Sequence, residues 1–183
     1  MLLLAVPLRL AALALLAASP AVSQPVELPQ RRPGYWEIRM MTGGGPGGQE
    51  FTLQTCTDAA TERQMVEYGF GQMGRTCQRF DIRRDGEDYV IETDCLVGQT
   101  RTTARSVISG DLRQAYSLRI EGTIQTIGQS EFQQTLTTQQ GRFVSARCGG
   151  GLRPGDILLP GGQRLNIRDL AASNAPAEGA RRP

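Results

Sequence analysis

The side chains best able to do chemistry gather in one stretch, Cys77 to Cys95. Between its two thiols stand Asp81, Asp85, Glu87, Asp88, Glu92 and Asp94. Glu92 and Asp94 are two apart, so on a strand they share a face, with Asp81 on the neighbouring strand. Retaining glycosidases use two carboxyls about 5–5.5 Å apart, a spacing a sheet can supply. Surface charge is the plainer reading of these residues and the favoured one, since no cleft or substrate-loop signal accompanies them. All twenty basic residues are arginine, and the chain has neither lysine nor histidine. Ser-His-Asp and Cys-His sites and Schiff-base chemistry are therefore out of reach. The cysteines form no C-x-x-C, which argues against both thiol exchange and zinc. No catalytic, metal-ligating or cofactor-binding residue is singled out, no cofactor is expected, and an enzyme is not expected.

The same stretch reads as a β-hairpin. A two-residue turn at Asp85 and Gly86 sets Phe80 opposite Ile91 and Ile82 opposite Tyr89 on one face. It also sets Cys77 opposite Asp94 rather than Cys95, leaving the two sulfurs on different faces. A bulge near the open end, shifting the register by one, would let the cysteines meet. The favoured pairing of the four cysteines is Cys77 with Cys95 and Cys56 with Cys148, the second tying strand two to the last strand.

The rest of the chain supplies the frame. Residues 1–23 read as a secretory signal peptide: Leu2 to Ala18 is almost wholly apolar, and Ala21, Val22 and Ser23 offer a small-residue cleavage site. Residues 24–33 form an extended, proline-containing lead-in. Residues 34–148 carry turn signals about every ten residues, the pattern of a mainly β domain. The expected architecture is a single antiparallel meander of about seven to eight strands, forming a curved sheet or partly closed barrel. Trp36, Ile38 and Met40 share one face of the first strand. Phe51 and Leu53 alternate in the second, which ends at Cys56. One short helix is expected over about 57–68, capped by Thr57 or Asp58 and stopped by Gly69. Residues 69–74 read as loop, with Phe70 and Met73 as plugs. Leu112, Tyr116, Leu118 and Ile120 share one face of a later strand. Gly141 reads as a turn between two further strands, 131–138 and 142–148. Residues 149–170 form a C-terminal extension able to dock or pair as short strands, and 171–183 a disordered tail.

The residues also resemble a known family. Arg32, Pro33, Gly34, Tyr35, Trp36 and Glu37 open the domain, and Thr55 and Cys56 close the second strand. Cys77 and Cys95 bracket a hairpin. Gly110, Asp111 and Tyr116 mark the following turn and strand, and Gly141 and Arg142 lead to Cys148. This order is similar to domain-of-unknown-function family 3617, exported proteobacterial proteins. The resemblance implies a periplasmic, β-rich, disulfide-bonded domain and carries no activity. Residues 149–183 extend past the family's usual end.

The expected product is a soluble periplasmic domain, a non-enzymatic binding or envelope-associated protein, with no membrane span after leader cleavage. At a net charge of +2, nucleic acid is a poor partner. The partners left open are a small apolar ligand and an envelope component. For the ligand, the candidate lining is Trp36, Phe51, Phe80, Tyr89, Tyr116 and Phe132, with ordinary core as the plainer role. For an anionic envelope component, the candidate surface is Arg79, Arg83, Arg84, Arg101, Arg105, Arg113 and Arg119, with a solvated, edge-protecting face as the plainer role.

Overall fold

The computed structural model describes residues 30–43 and 47–173. The expected leader, and most of the lead-in and tail, lie outside them. In chain order the elements are β1 (Gly34–Thr42), β2 (Gln49–Thr57), α1 (Ala59–Thr76), β3 (Cys77–Asp85), β4 (Asp88–Val97), β5 (Thr100–Gly110), β6 (Ala115–Thr126), β7 (Gln133–Ser145), β8 (Asp156–Leu158), β9 (Arg164–Asn166) and α2 (Ile167–Ser173). All nine strands join one antiparallel sheet, in the order β3-β4-β5-β6-β7-β1-β2-β8-β9. The mainly β antiparallel reading holds. The sheet is open, with β3 and β9 at its edges, and does not close into a barrel. β2 lies beyond β1, so α1 carries the chain across to the far edge and the meander then runs back to pair β7 with β1.

The strand count, nine against the expected seven to eight, is the net of two changes of opposite sign. Residues 156–166 add β8, which pairs with β2, and β9. Meanwhile the two expected strands around Gly141 are one: β7 runs straight through it, pairing Gly141 with Tyr116 and with Ile38. Gly141 is small for packing, not for turning. A Cβ there would lie 2.0 Å from Cε1 of Tyr116, so the missing side chain makes room for the tyrosine ring.

Inner-face side chains alternate along each strand with outer-face ones, as the pleat requires. Trp36, Ile38, Leu112 and Tyr116 form the buried core, with Met40, Leu53, Ile108 and Phe143 packed against it. Trp36 meets Tyr116 at 5.8 Å and Phe143 edge-on at 5.6 Å between ring centroids. Its indole N–H donates to the Arg32 carbonyl at 2.8 Å, which satisfies the one polar atom of a side chain with no solvent exposure.

α1 is longer than expected. Asp58 is its N-cap, in a reciprocal capping box with Thr61. The helix then passes through Gly69, Gly71 and Gly74, none of which takes a positive φ, and ends at Cys77. Phe70 and Met73 are therefore helical. The shorter α2 is a second, unexpected helix.

Cys77 is bonded to Cys95, and Cys56 to Cys148. The β3–β4 turn is Gly86 and Glu87, one residue later than expected. Gly86 has φ 63°, suiting a two-residue turn with glycine first. Ile82 thus faces Ile91 and Phe80 faces Thr93, and the register shifts by one between Cys77 and Arg79 to set Cys77 opposite Cys95. The bulge exists, and its extra residue is Gln78 on β3.

A groove between the helix and the sheet

α1 lies over the inner face of the sheet, and a groove of about 420 Å³ opens between them. From the helix, Met65, Val66, Gly69, Phe70 and Met73 line it; from the sheet side, Ile108, Leu112 and Leu118. The helical residues recur at spacings of three and four, which puts them on one face. Leu118 and Ile108 sit opposite one another on β6 and β5.

Leu112 enters by an unusual backbone. It lies in the β5–β6 connection rather than on the strand expected for it, with φ 55°, the one positive φ outside glycine among the described residues. A bulky side chain disfavours that conformation. Asp111 holds the turn: its Oδ1 accepts the backbone N–H groups of Gln114, Arg113 and Ala115. Those bonds, from Gln114 first, hold the Asp111 carboxyl below the usual range. The Arg32 N–H donates to the Leu112 carbonyl at 3.1 Å. The result drives the Leu112 side chain inward, where it is 7 % exposed.

Polar groups close one end of the groove: Arg31, Glu62, Tyr116 and Gln139. Arg31 donates through Nε and Nη2 to the two carboxylate oxygens of Glu62, both at 2.7 Å. Their side chains are 12 % and 3 % exposed. Burial works against the guanidinium charge, but the bonds to Glu62 outweigh it and hold the Arg31 pKa up. Gln139 donates its amide N–H to the Tyr116 hydroxyl at 2.5 Å. Burial raises the Tyr116 pKa, so its hydroxyl keeps its proton at neutral pH.

The residues singled out from the sequence fall elsewhere, with one exception. Of the six candidate lining aromatics, Tyr116 alone borders this groove. Trp36 and Tyr89 are buried, Phe80 stacks on Phe70 at 5.4 Å, and Phe132 is 59 % exposed. Arg79, Arg83, Arg101, Arg105 and Arg119 share the outer face, as the register dictates. Arg84 does not: it lies over the Tyr89 ring and donates to its hydroxyl at 2.8 Å. Arg113 sits in the β5–β6 turn.

The candidate carboxylates Asp81, Glu92 and Asp94 also lie on the outer face, each held by arginine. Arg79 reaches Asp81 at 2.5 Å and Glu92 at 2.6 Å, and Arg101 reaches Asp94 at 2.5 Å. The Arg101 bond holds the Asp94 carboxyl below its ordinary range, the opposite of what a general acid needs. A wider outer-face hollow, about 580 Å³, is lined by Glu37, Arg39, Gln140 and Arg142 among others, and its surface is as much apolar as polar. Among the described residues no His, Cys, Asp and Glu cluster could hold a metal ion, and no helix is long and apolar enough to cross a membrane.

The helical stripe is the part of the groove not expected from the sequence, since α1 runs on through Gly69, the expected stop. The signal was present: Met65, Val66, Phe70 and Met73 continue one face across that glycine.

A family model described as "Protein of unknown function (DUF3617)" matches residues 31–148. No curated protein and no solved structure matches the chain.

Proposed function

Because the chain belongs to the DUF3617 family, whose description assigns no activity, we propose from the geometry that it is an exported, non-enzymatic binding protein whose helix-covered groove takes a small apolar molecule. One observation carries this reading: an open groove with seven apolar side chains, closed at one end by polar groups. Ligand sites are built this way, mostly apolar with a few placed polar groups. The non-enzymatic part rests on the absence of histidine and lysine and on the arginine clamps around Asp81, Glu92 and Asp94. Export and a periplasmic location rest on the apolar segment Leu2 to Ala18, the small residues before Gln24 and the two disulfides.

Two measurements test it. Expressed with its leader in a bacterium, the protein is expected in the periplasmic extract with its N-terminus at Gln24; retention in the cytoplasm with Met1 intact contradicts export. Titrated with N-phenylnaphthylamine, a neutral apolar dye, the purified protein is expected to give saturable fluorescence that Leu118→Arg abolishes. No enhancement, or enhancement that Leu118→Arg leaves untouched, removes the groove as the site.

A further inference from the structure

The polar end of the groove says what kind of molecule fits. This inference rests on the reading of the groove as a ligand site. The polar end holds one cation and one anion, paired with each other: both carboxylate oxygens of Glu62 accept from Arg31, at 2.7 Å each, in a pair almost closed to water, and the Arg31 guanidinium also interacts with the Tyr116 hydroxyl. A ligand carboxylate brought here would leave two anions to one cation. A ligand ammonium would leave two cations to one anion. Either leaves an unbalanced charge in a low-dielectric site.

A neutral group meets no such penalty. Beside the ion pair stand Tyr116 and Gln139. The Tyr116 hydroxyl accepts from the Gln139 amide and keeps its own proton to donate. The Gln139 side chain carries a second N–H and a carbonyl. Together they match a hydroxyl or carbonyl at the tip of an apolar body. We infer that the ligand is an uncharged amphiphile, a lipid-like alcohol, ester or amide, lying with its apolar part along Met65, Val66, Phe70 and Leu118 and its polar end at Tyr116 and Gln139.

The test is a matched series displacing N-phenylnaphthylamine from the whole mature protein at neutral pH, below micelle formation. Hexadecanol and methyl hexadecanoate are expected to displace it. Hexadecanoate and hexadecyltrimethylammonium are expected to be weaker by about tenfold or more. Equal or tighter binding of either ion overturns the inference, while the groove reading stands. Dye binding that no member of the series displaces also overturns it. Failure of the dye and of all four compounds to bind removes the groove reading itself.

Two variants sharpen the result, each checked for fold by circular dichroism. Glu62→Gln leaves Arg31 uncompensated and is expected to invert the preference toward hexadecanoate; an unchanged order contradicts the charge argument. Tyr116→Phe keeps the ring and removes only the hydroxyl. It is expected to weaken hexadecanol roughly fivefold, one neutral hydrogen bond, with dye affinity kept. Unchanged hexadecanol affinity places the polar end elsewhere.

Discussion

The inner face of the sheet is filled over β1 and β7 and left open beneath α1. On the filled side, Trp36 meets Tyr116 and Phe143 ring to ring, and Ile38 packs in the same cluster. On the open side, methionines, Val66 and Phe70 come from a helix with glycine at 69, 71 and 74. A Cβ added at any of these glycines meets nothing within 4 Å. Their smallness therefore serves no packing, and each costs about 1 kcal/mol of helix stability against alanine. The contrast separates two uses of apolar residues. Rigid rings build the frame, and adaptable side chains on a weakened helix build the cover.

The largest expected effect concerns the two staples. Cys56–Cys148 anchors the filled side and closes a sequence separation of 92; Cys77–Cys95 anchors the end of α1 and closes 18. By loop entropy, replacing the first pair with serine is expected to cost about 4–5 kcal/mol and the second about 3. Guanidinium unfolding of the two double mutants measures the order, and a costlier loss at Cys77–Cys95 would break the comparison. Next, Trp36→Ala is expected to destabilise by about 3–5 kcal/mol, while Met73→Ala, at the half-open groove, is expected to cost about 1 or less. Equal losses in urea midpoint would mean that the groove is part of the core.

Acid is a further probe, and it acts outside both halves. Asp156, the first residue of β8, is buried and accepts from the Arg153 N–H in the preceding loop and the Asn166 amide on β9, both at 2.8 Å. Burial opposes its charge, but these bonds and Arg164 outweigh it and hold its carboxyl below the usual range. A depressed folded pKa contributes stability above the unfolded value of about 4 and loses it as pH falls through the folded value. Thermal midpoints are thus expected to drop below about pH 4, and Asp156→Asn to flatten that drop at the expense of stability at neutral pH. An unchanged acid profile would remove Asp156 from the account. The smallest effect is a gain: Gly71→Ala is expected to stabilise by roughly 0.5–1 kcal/mol and to slow dye entry in stopped flow. Faster entry would contradict α1 as a cover.

The strand pattern was legible because alternation survives wherever one face is buried: Trp36, Ile38 and Met40 on β1, and Tyr116, Leu118 and Ile120 on β6. Glycine was the recurring source of error. At Gly141 it answers to the Tyr116 ring across the ladder, a long-range demand with no local mark. At Gly69 local propensity favoured a stop, but the apolar stripe and the tether at Cys77 carry the helix on. The hairpin turn lies one residue later than expected, since Asp85–Gly86 and Gly86–Glu87 are both sound two-residue turns and only the ladder, which pairs Asp85 with Asp88, distinguishes them. The groove was less legible than the fold. Of the six aromatic residues expected to line it Tyr116 alone does, while Trp36 and Tyr89 are buried elsewhere and Phe132 is exposed, and Arg31 and Glu62 meet across 31 positions of sequence. Leu112 reaches the groove through a backbone conformation that no side-chain pattern announces.

The central claim is that the open side of the sheet holds the ligand. Methyl NMR of the protein titrated with hexadecanol tests it most directly. Shifts confined to Met65, Val66, Met73, Ile108, Leu112 and Leu118, with Ile38 and the outer-face Met41 unmoved, are the predicted result. Shifts at Met41 with none along α1, or none at all at saturating ligand, would contradict it.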